Sequence, residues 1–156
     1  MDEKEREELL KKIEEYTEKI KKDPDNDTYY YNRGATYHNL KEYEKAIEDY
    51  NKAIELNPNN TSSYNNIGVV YYNLKEYENA IEDYNKAIEL VPNNASYWNS
   101  RGDAYYFLKT YEKAIDNYSH AISLNSEEGL YFYNRGISYY NLKEYENAIE
   151  DYNKAI

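Results

Sequence analysis

Hydrophobic and polar positions in this chain follow two nested rhythms, one helical and one of 34 residues. Over residues 1–22, Leu9, Ile13, Tyr16 and Ile20 succeed one another at four, three and four residues on a Glu/Lys background, the apolar stripe of a helix. Asp2 and Glu5 are spaced for a capping box, acids gather at the start, lysines gather at the end, and Asp23-Pro24 supplies the stop. From Asp27 the pattern becomes periodic. Gly34, Gly68, Gly102 and Gly136 stand 34 residues apart, each with an aromatic four before (Tyr30, Tyr64, Trp98, Phe132) and a Tyr three after (Tyr37, Tyr71, Tyr105, Tyr139). Twelve after each glycine comes an alanine (Ala46, Ala80, Ala114, Ala148), sixteen after a Tyr (Tyr50, Tyr84, Tyr118, Tyr152), and nineteen after another alanine (Ala53, Ala87, Ala121, Ala155). The sixteen residues Asn73 to Ile88 return unchanged at Asn141 to Ile156.

Within one period the spacing predicts two helices, Tyr29 to Leu40 and Tyr43 to Leu56 in the first, joined by Lys41-Glu42 and closed by Asn57-Pro58-Asn59-Asn60. Small residues lie where the helices approach closely and large ones fill the space around them. Neither helix buries its apolar face alone, so stability must come from stacking neighbours. Residues 1–26, with one Tyr and no Asn before Asn26, read as a capping helix in the register of a second helix, a degenerate half repeat. Lys12 and Lys19 stand there where the later helices carry alanines. The periodic array is expected to span 27–156, divided at 27–60, 61–94, 95–128 and 129–156.

Those residues resemble the tetratricopeptide repeat family, whose motif is this alternation of small and large residues at this period. The resemblance covers 27–156 and implies an all-α fold, a right-handed α-solenoid of antiparallel helix pairs. Lys41, Lys75, Lys109 and Lys143 occupy the turn where the family often has Gly, so they are expected to adopt a left-handed backbone at about 1 kcal/mol each.

Composition narrows the function. The chain has no Cys, which removes thiol chemistry and thiolate metal sites. The net charge of −11 is spread over every segment, so no stretch is basic enough to neutralise phosphates; neither nucleic acid nor a membrane is an expected partner. Met1 is followed by a charged run with no apolar core of a leader, and the chain is expected to be cytoplasmic. No catalytic constellation stands out and no cofactor is expected. His38 and His120 occupy different places in the period and read as ordinary surface residues. The Asn94-Ala95-Ser96 and Asn59-Asn60-Thr61 sequons read as accidents of an Asn-rich chain. Arg33, Arg101 and Arg135 precede their glycines; Asp49 and Asp151, sixteen residues beyond Arg33 and Arg135, suggest buried pairs. The third period offers Asn117, with Asp116 adjacent, and the second has Ile67 before Asp83.

In the family the first helix of each pair lines a concave groove, which the resemblance maps onto definite residues here. Two before each glycine stand Asn32, Asn66, Ser100 and Asn134, similar to the asparagine ladder by which some members hold an extended peptide. Around it fall Tyr31, Asn65, Asn99 and Tyr133; Ala35, Val69, Asp103 and Ile137; His38, Tyr72, Tyr106 and Tyr140; and Asn39, Asn73, Phe107 and Asn141. The groove is expected to be neutral, aromatic and amide-rich, and its partner a protein or peptide. With 21 Asn and 23 Tyr in the chain, compositional bias explains the ladder equally well. The family's clamp for a carboxylate tail needs cations that are absent: its places hold Tyr31, Ala35, Asn66, Ser96 and Ser100, or, one period on, Asn65, Val69, Ser100, Leu130 and Asn134.

The chain thus reads as a non-catalytic protein-interaction scaffold. A second reading is a homo-oligomer assembled through Ile149, Tyr152 and Ile156 on the last helix, which no following repeat covers. A third, suggested by the verbatim repetition, is an engineered or consensus scaffold without a natural ligand.

Overall fold

The computed structural model describes residues 1–156 as nine α-helices: α1 (Glu3–Lys22), α2 (Asp27–Asn39), α3 (Tyr43–Leu56), α4 (Thr61–Asn73), α5 (Tyr77–Leu90), α6 (Ala95–Phe107), α7 (Tyr111–Leu124), α8 (Gly129–Asn141) and α9 (Tyr145–Lys154). They form two compact units, Met1–Val70 and Tyr71–Ile156. No helix is long and apolar enough to cross a membrane.

α1 begins with the capping box read from the sequence: the Glu5 amide donates to Asp2 Oδ1 at 2.8 Å and the Asp2 amide to Glu5 Oε2 at 3.0 Å. It buries no residue completely and packs against α2. Every pair of helices then turns in the same way. In the first turn Lys41 has φ 61°, its amide donates to His38 O at 2.8 Å, and the Glu42 amide donates to Tyr37 O at 2.9 Å. That is a Schellman closure, and it recurs at Lys75, Lys109 and Lys143, with φ between 60 and 64°. The left-handed backbone expected of these lysines is present. The two hydrogen bonds satisfy helix-end carbonyls and offset a strain of about 1–2 kcal/mol that glycine would avoid.

The packing is the small-against-large scheme of the sequence. In the first unit Ala46, Tyr50 and Ala53 are fully buried, and a Cβ added to Gly34 would meet the Tyr50 ring at 3.0 Å. In the second unit the corresponding approach is tighter, 2.7 Å from Gly102 to the Tyr118 ring and 2.8 Å from Gly136 to Tyr152. Gly34, Gly102 and Gly136 therefore leave the space that a tyrosine fills, and fully burying a ring such as that of Tyr50 or Tyr118 is worth about 1.5–3 kcal/mol. α9 is shorter than the helix expected there. It ends at Lys154, so Ile156 lies beyond the helix, and Tyr152 is half-buried under Gly136 rather than presented to solvent. On α9 the Ile149 side chain is 61% exposed.

Candidate peptide-binding face

Two faces of the helices carry organised polar chemistry. On one, arginines bind helices together. Arg33 forks onto Asp49, Nε to Oδ2 at 2.8 Å and Nη2 to Oδ1 at 2.7 Å, while Nη1 reaches Thr17 Oγ1 of α1 at 3.1 Å. Arg135 repeats the arrangement, with Asp151 at 2.7 and 2.8 Å and Ser119 at 2.9 Å. The carboxylate hydrogen bonds raise both guanidinium pKa values against the opposing effect of burial. The pairs read from the sequence are there. What that reading missed is the third contact, to the residue sixteen before each arginine, although Thr17, Asn85 and Ser119 are all polar at that spacing.

Arg101 departs from the pattern. Its Nε donates to Asn117 Oδ1 at 2.8 Å and its Nη1 to Asn85 Oδ1 at 2.6 Å, both neutral, and its guanidinium lies 4.6 Å from the Trp98 ring centroid. The expected help from Asp116 does not arise, because that side chain is exposed and no hydrogen bond joins it to Arg101. Burial without a carboxylate lowers the Arg101 pKa. His120 is exposed, yet its ring centroid stands 3.8 Å from that of Trp98. His38 is not an ordinary surface residue either: it is half-buried, 5.8 Å from the Tyr43 ring, and burial lowers its pKa. Asn94 accepts from the Ser96 amide at 3.1 Å and from its hydroxyl at 2.6 Å, so that sequon is the start of α6.

The asparagines of the expected ladder each donate at least one side-chain N–H within the protein. Asn32 Nδ2 donates to Thr28 O at 2.8 Å. Asn66 Nδ2 makes long contacts to the hydroxyls of Tyr31, 3.3 Å, and Tyr50, 3.4 Å, and Asn65 Nδ2 lies 3.4 Å from Asn66 Oδ1. Asn134 Nδ2 reaches Asn99 Oδ1 at 3.1 Å and Asp103 Oδ1 at 3.3 Å. The amides of Asn66 and Asn134 act as struts between helices, whereas Asn32 and Asn65 bond within their own. Asn141 similarly donates to Ile137 O of its own helix at 2.8 Å and to the Tyr106 hydroxyl at 3.4 Å. Asn39 and Asn73 are exposed at the ends of α2 and α4.

The aromatic residues of this face are more available. Phe107 is 49% exposed, stacked on Tyr77 with centroids 5.3 Å apart and edge-on to Tyr72 at 5.6 Å and Tyr106 at 5.4 Å. Tyr133 and Tyr140 are about half exposed, each beside a tyrosine of α9, Tyr152 at 5.9 Å and Tyr145 at 5.6 Å. Phe107, but neither Tyr133 nor Tyr140, borders a cavity of about 330 Å³ in the second unit. α4 and α6 contribute Tyr72, Tyr106 and Phe107, and α8 contributes Leu130, Asn134 and Ile137.

Asp103 also lines that cavity, and it corrects the expectation of a neutral face. Its Oδ1 accepts from the Tyr118 hydroxyl at 2.7 Å and from Asn134, and its Oδ2 accepts from Asn99 Nδ2 at 3.2 Å. Burial nevertheless pushes the carboxyl up to about 6, and the same burial beside Asp103 drives the Tyr118 phenol far upward. The signal in the sequence was Asp103 itself, the one charged residue among Ala35, Val69, Asp103 and Ile137. Nowhere do three His, Asp or Glu side chains gather to hold a metal ion.

A sequence profile described as tetratricopeptide repeat matches residues 28–60, 62–94 and 130–156, and a second profile of that description matches 83–116. No curated protein sequence matches the chain significantly. Among solved structures, one described as MamA superposes with a TM-score of 0.89 at 24% identity, covering 99% of this chain and 93% of that one. YrrB, described as a TPR protein with an unusual peptide-binding site, gives 0.80 at 23%, covering 98% and 79%. PilF of Pseudomonas aeruginosa gives 0.86 at 20%, covering 97% and 69%. The shared property is the fold, an all-α helical-repeat solenoid.

Proposed function

The chain belongs to the tetratricopeptide repeat family, whose members mediate protein–protein interactions, and on that premise we propose that it is a non-catalytic scaffold holding an extended peptide along the first helices of its pairs. The observation that carries this reading is the cavity of the second unit, bordered by the half-exposed Phe107 and by Tyr72 and Tyr106. Exposed aromatic surface beside amide groups is what adaptable peptide recognition uses, since rigid rings bury area at small entropic cost. The description of YrrB as peptide-binding supports the same use of a shared fold. Because Asn66 and Asn134 each direct two Nδ2 contacts within the protein, they offer a peptide mainly their carbonyl oxygens, Asn32 keeps one N–H to donate, and the rings supply the contact area.

Selection of displayed random peptides tests this, with the parent compared against a Tyr106→Ser, Phe107→Ser variant that keeps its helical signal. The proposal expects a peptide class captured by the parent and lost from the variant. Equal capture by both would overturn it. A second reading, association through the end of the chain, is supported by the exposure of Ile149 and Ile156. It expects a molar mass that rises with concentration in light scattering, and a constant monomer mass would remove it.

A further inference from the structure

We infer that the cavity between α6 and α8 is a subsite for a lysine side chain of the bound peptide, its ammonium taken by Asp103 Oδ2 and its stem by the rings of Tyr72, Tyr106 and Phe107. This rests on the peptide-binding reading and specifies what one part of that face selects.

Asp103 is a charge without a counter-charge. Asp103 is held by three hydrogen bonds, from Tyr118, Asn134 and Asn99, none of them from a cation. A largely buried carboxylate so placed is costly, and burial shows in its raised pKa of about 6. At neutral pH the group is still mostly ionised, so a desolvated negative charge lines an aromatic cavity in a protein of net charge −11. A cation is the ligand that both features favour. The ring faces attract it through their quadrupoles and the carboxylate through its charge.

The occupancy of the carboxylate then separates lysine from arginine. Each oxygen has two acceptor positions. Those of Oδ1 are taken by the Tyr118 hydroxyl at 2.7 Å and Asn134 at 3.3 Å, whereas Oδ2 accepts only from Asn99. One acceptor position remains on one oxygen. The fork of a guanidinium needs both oxygens, as in the Arg33–Asp49 and Arg135–Asp151 pairs of this protein. An ammonium is a point donor and needs one. The apolar stem of a lysine also suits a cavity walled by Leu130 and Ile137.

Asp103 stands at a place in the period where Ala35, Val69 and Ile137 carry no charge. Recognition of the lysine is therefore confined to α6 and fixes the register of the peptide.

The test is an NMR titration of the whole chain with n-butylammonium, the lysine head on a short stem, beside n-butylguanidinium and 1-butanol. The expected result is saturable shifts of Asp103, Tyr106 and Phe107, with the ammonium binding about five-fold more tightly than either competitor, and loss of that preference in Asp103→Asn. Retention of the remaining spectrum reports that the variant is folded; a Phe107→Ala variant, altered only at a half-exposed ring, is expected to weaken the same binding. Absence of saturable shifts at these residues, equal response to the alcohol or the guanidinium, or an unchanged preference in Asp103→Asn would each overturn the inference. Peptides selected through Tyr106 and Phe107 but showing no lysine would sink the subsite and leave the peptide-binding face standing.

Discussion

The pairs α2/α3 and α6/α7 share one backbone design and differ in where they keep a carboxylate. In α2/α3 the acid is Asp49, forked by Arg33, and the other side of α2 carries Ala35. In α6/α7 the corresponding position is Asn117, and an acid stands instead at Asp103, two residues beyond Arg101 and so roughly on the opposite side of the helix. One arginine has its counter-ion; the other has amides and the ring of Trp98. The glycine, alanine and tyrosine landmarks that build the pair are untouched by the exchange. In such an array the periodic residues make the fold, and residues that break the period are where a specific chemistry can be placed.

Removing the carboxylate should show the contrast at full size. Asp49→Ala strands a largely buried guanidinium and is expected to cost about 2–3 kcal/mol, whereas Asn117→Ala removes one hydrogen bond to a charge and costs about 1 kcal/mol. Urea unfolding of the two variants checks it, and equal losses would break the comparison. Packing should separate the pairs next. Gly102→Ala drives a Cβ to 2.7 Å from the Tyr118 ring, against 3.0 Å for Gly34→Ala at Tyr50. The overpacking, partly offset by better helix propensity, predicts a loss of about 2 kcal/mol for the former and about 1 for the latter, measurable as thermal midpoints.

Asp83 gives a pH-dependent version of the same question, since Ile67 precedes it where the other pairs have an arginine. Burial, with Glu82 beside it, raises its pKa from 3.8 to about 6. Between those values the folded chain holds a proton that the unfolded chain has released, so this group's contribution to stability falls as pH rises through the window and is lost above it. Asp83→Asn is therefore expected to stabilise by about 1–2 kcal/mol at pH 7.5 and to make little difference at pH 4, as followed by denaturation at both pH values. The smallest effect tests the exchange in reverse: Asn117→Asp should give Arg101 its fork and raise stability by about 0.5–1 kcal/mol in the same urea assay.

Much of the fold was legible because its determinants are local and repeated. The helix expected at Tyr43 to Leu56 has those bounds, and its neighbour, expected at Tyr29 to Leu40, runs from Asp27 to Asn39. The arginine forks of Arg33 and Arg135 could be read from spacing, since sixteen residues separate facing positions on paired helices, whereas the left-handed lysine turns were implied by the family resemblance. The candidate site was less legible. Which amide protons of Asn66 and Asn134 are spent depends on rotamers and on partners such as Tyr31 and Asn99, 35 residues away. His38 reads as polar and therefore exposed, yet its ring is half-buried beside Tyr43.

The proposed holding of a peptide at the aromatic cavity of the second unit is decided by an amide chemical-shift map of the parent chain titrated with the best selected peptide. The largest changes are expected on Tyr106 and Phe107 of α6 and on Leu130, Asn134 and Ile137 of α8. Changes concentrated instead around Trp98, Arg101 and His120, or on Ile149 and the last turn of α9, would overturn the proposal.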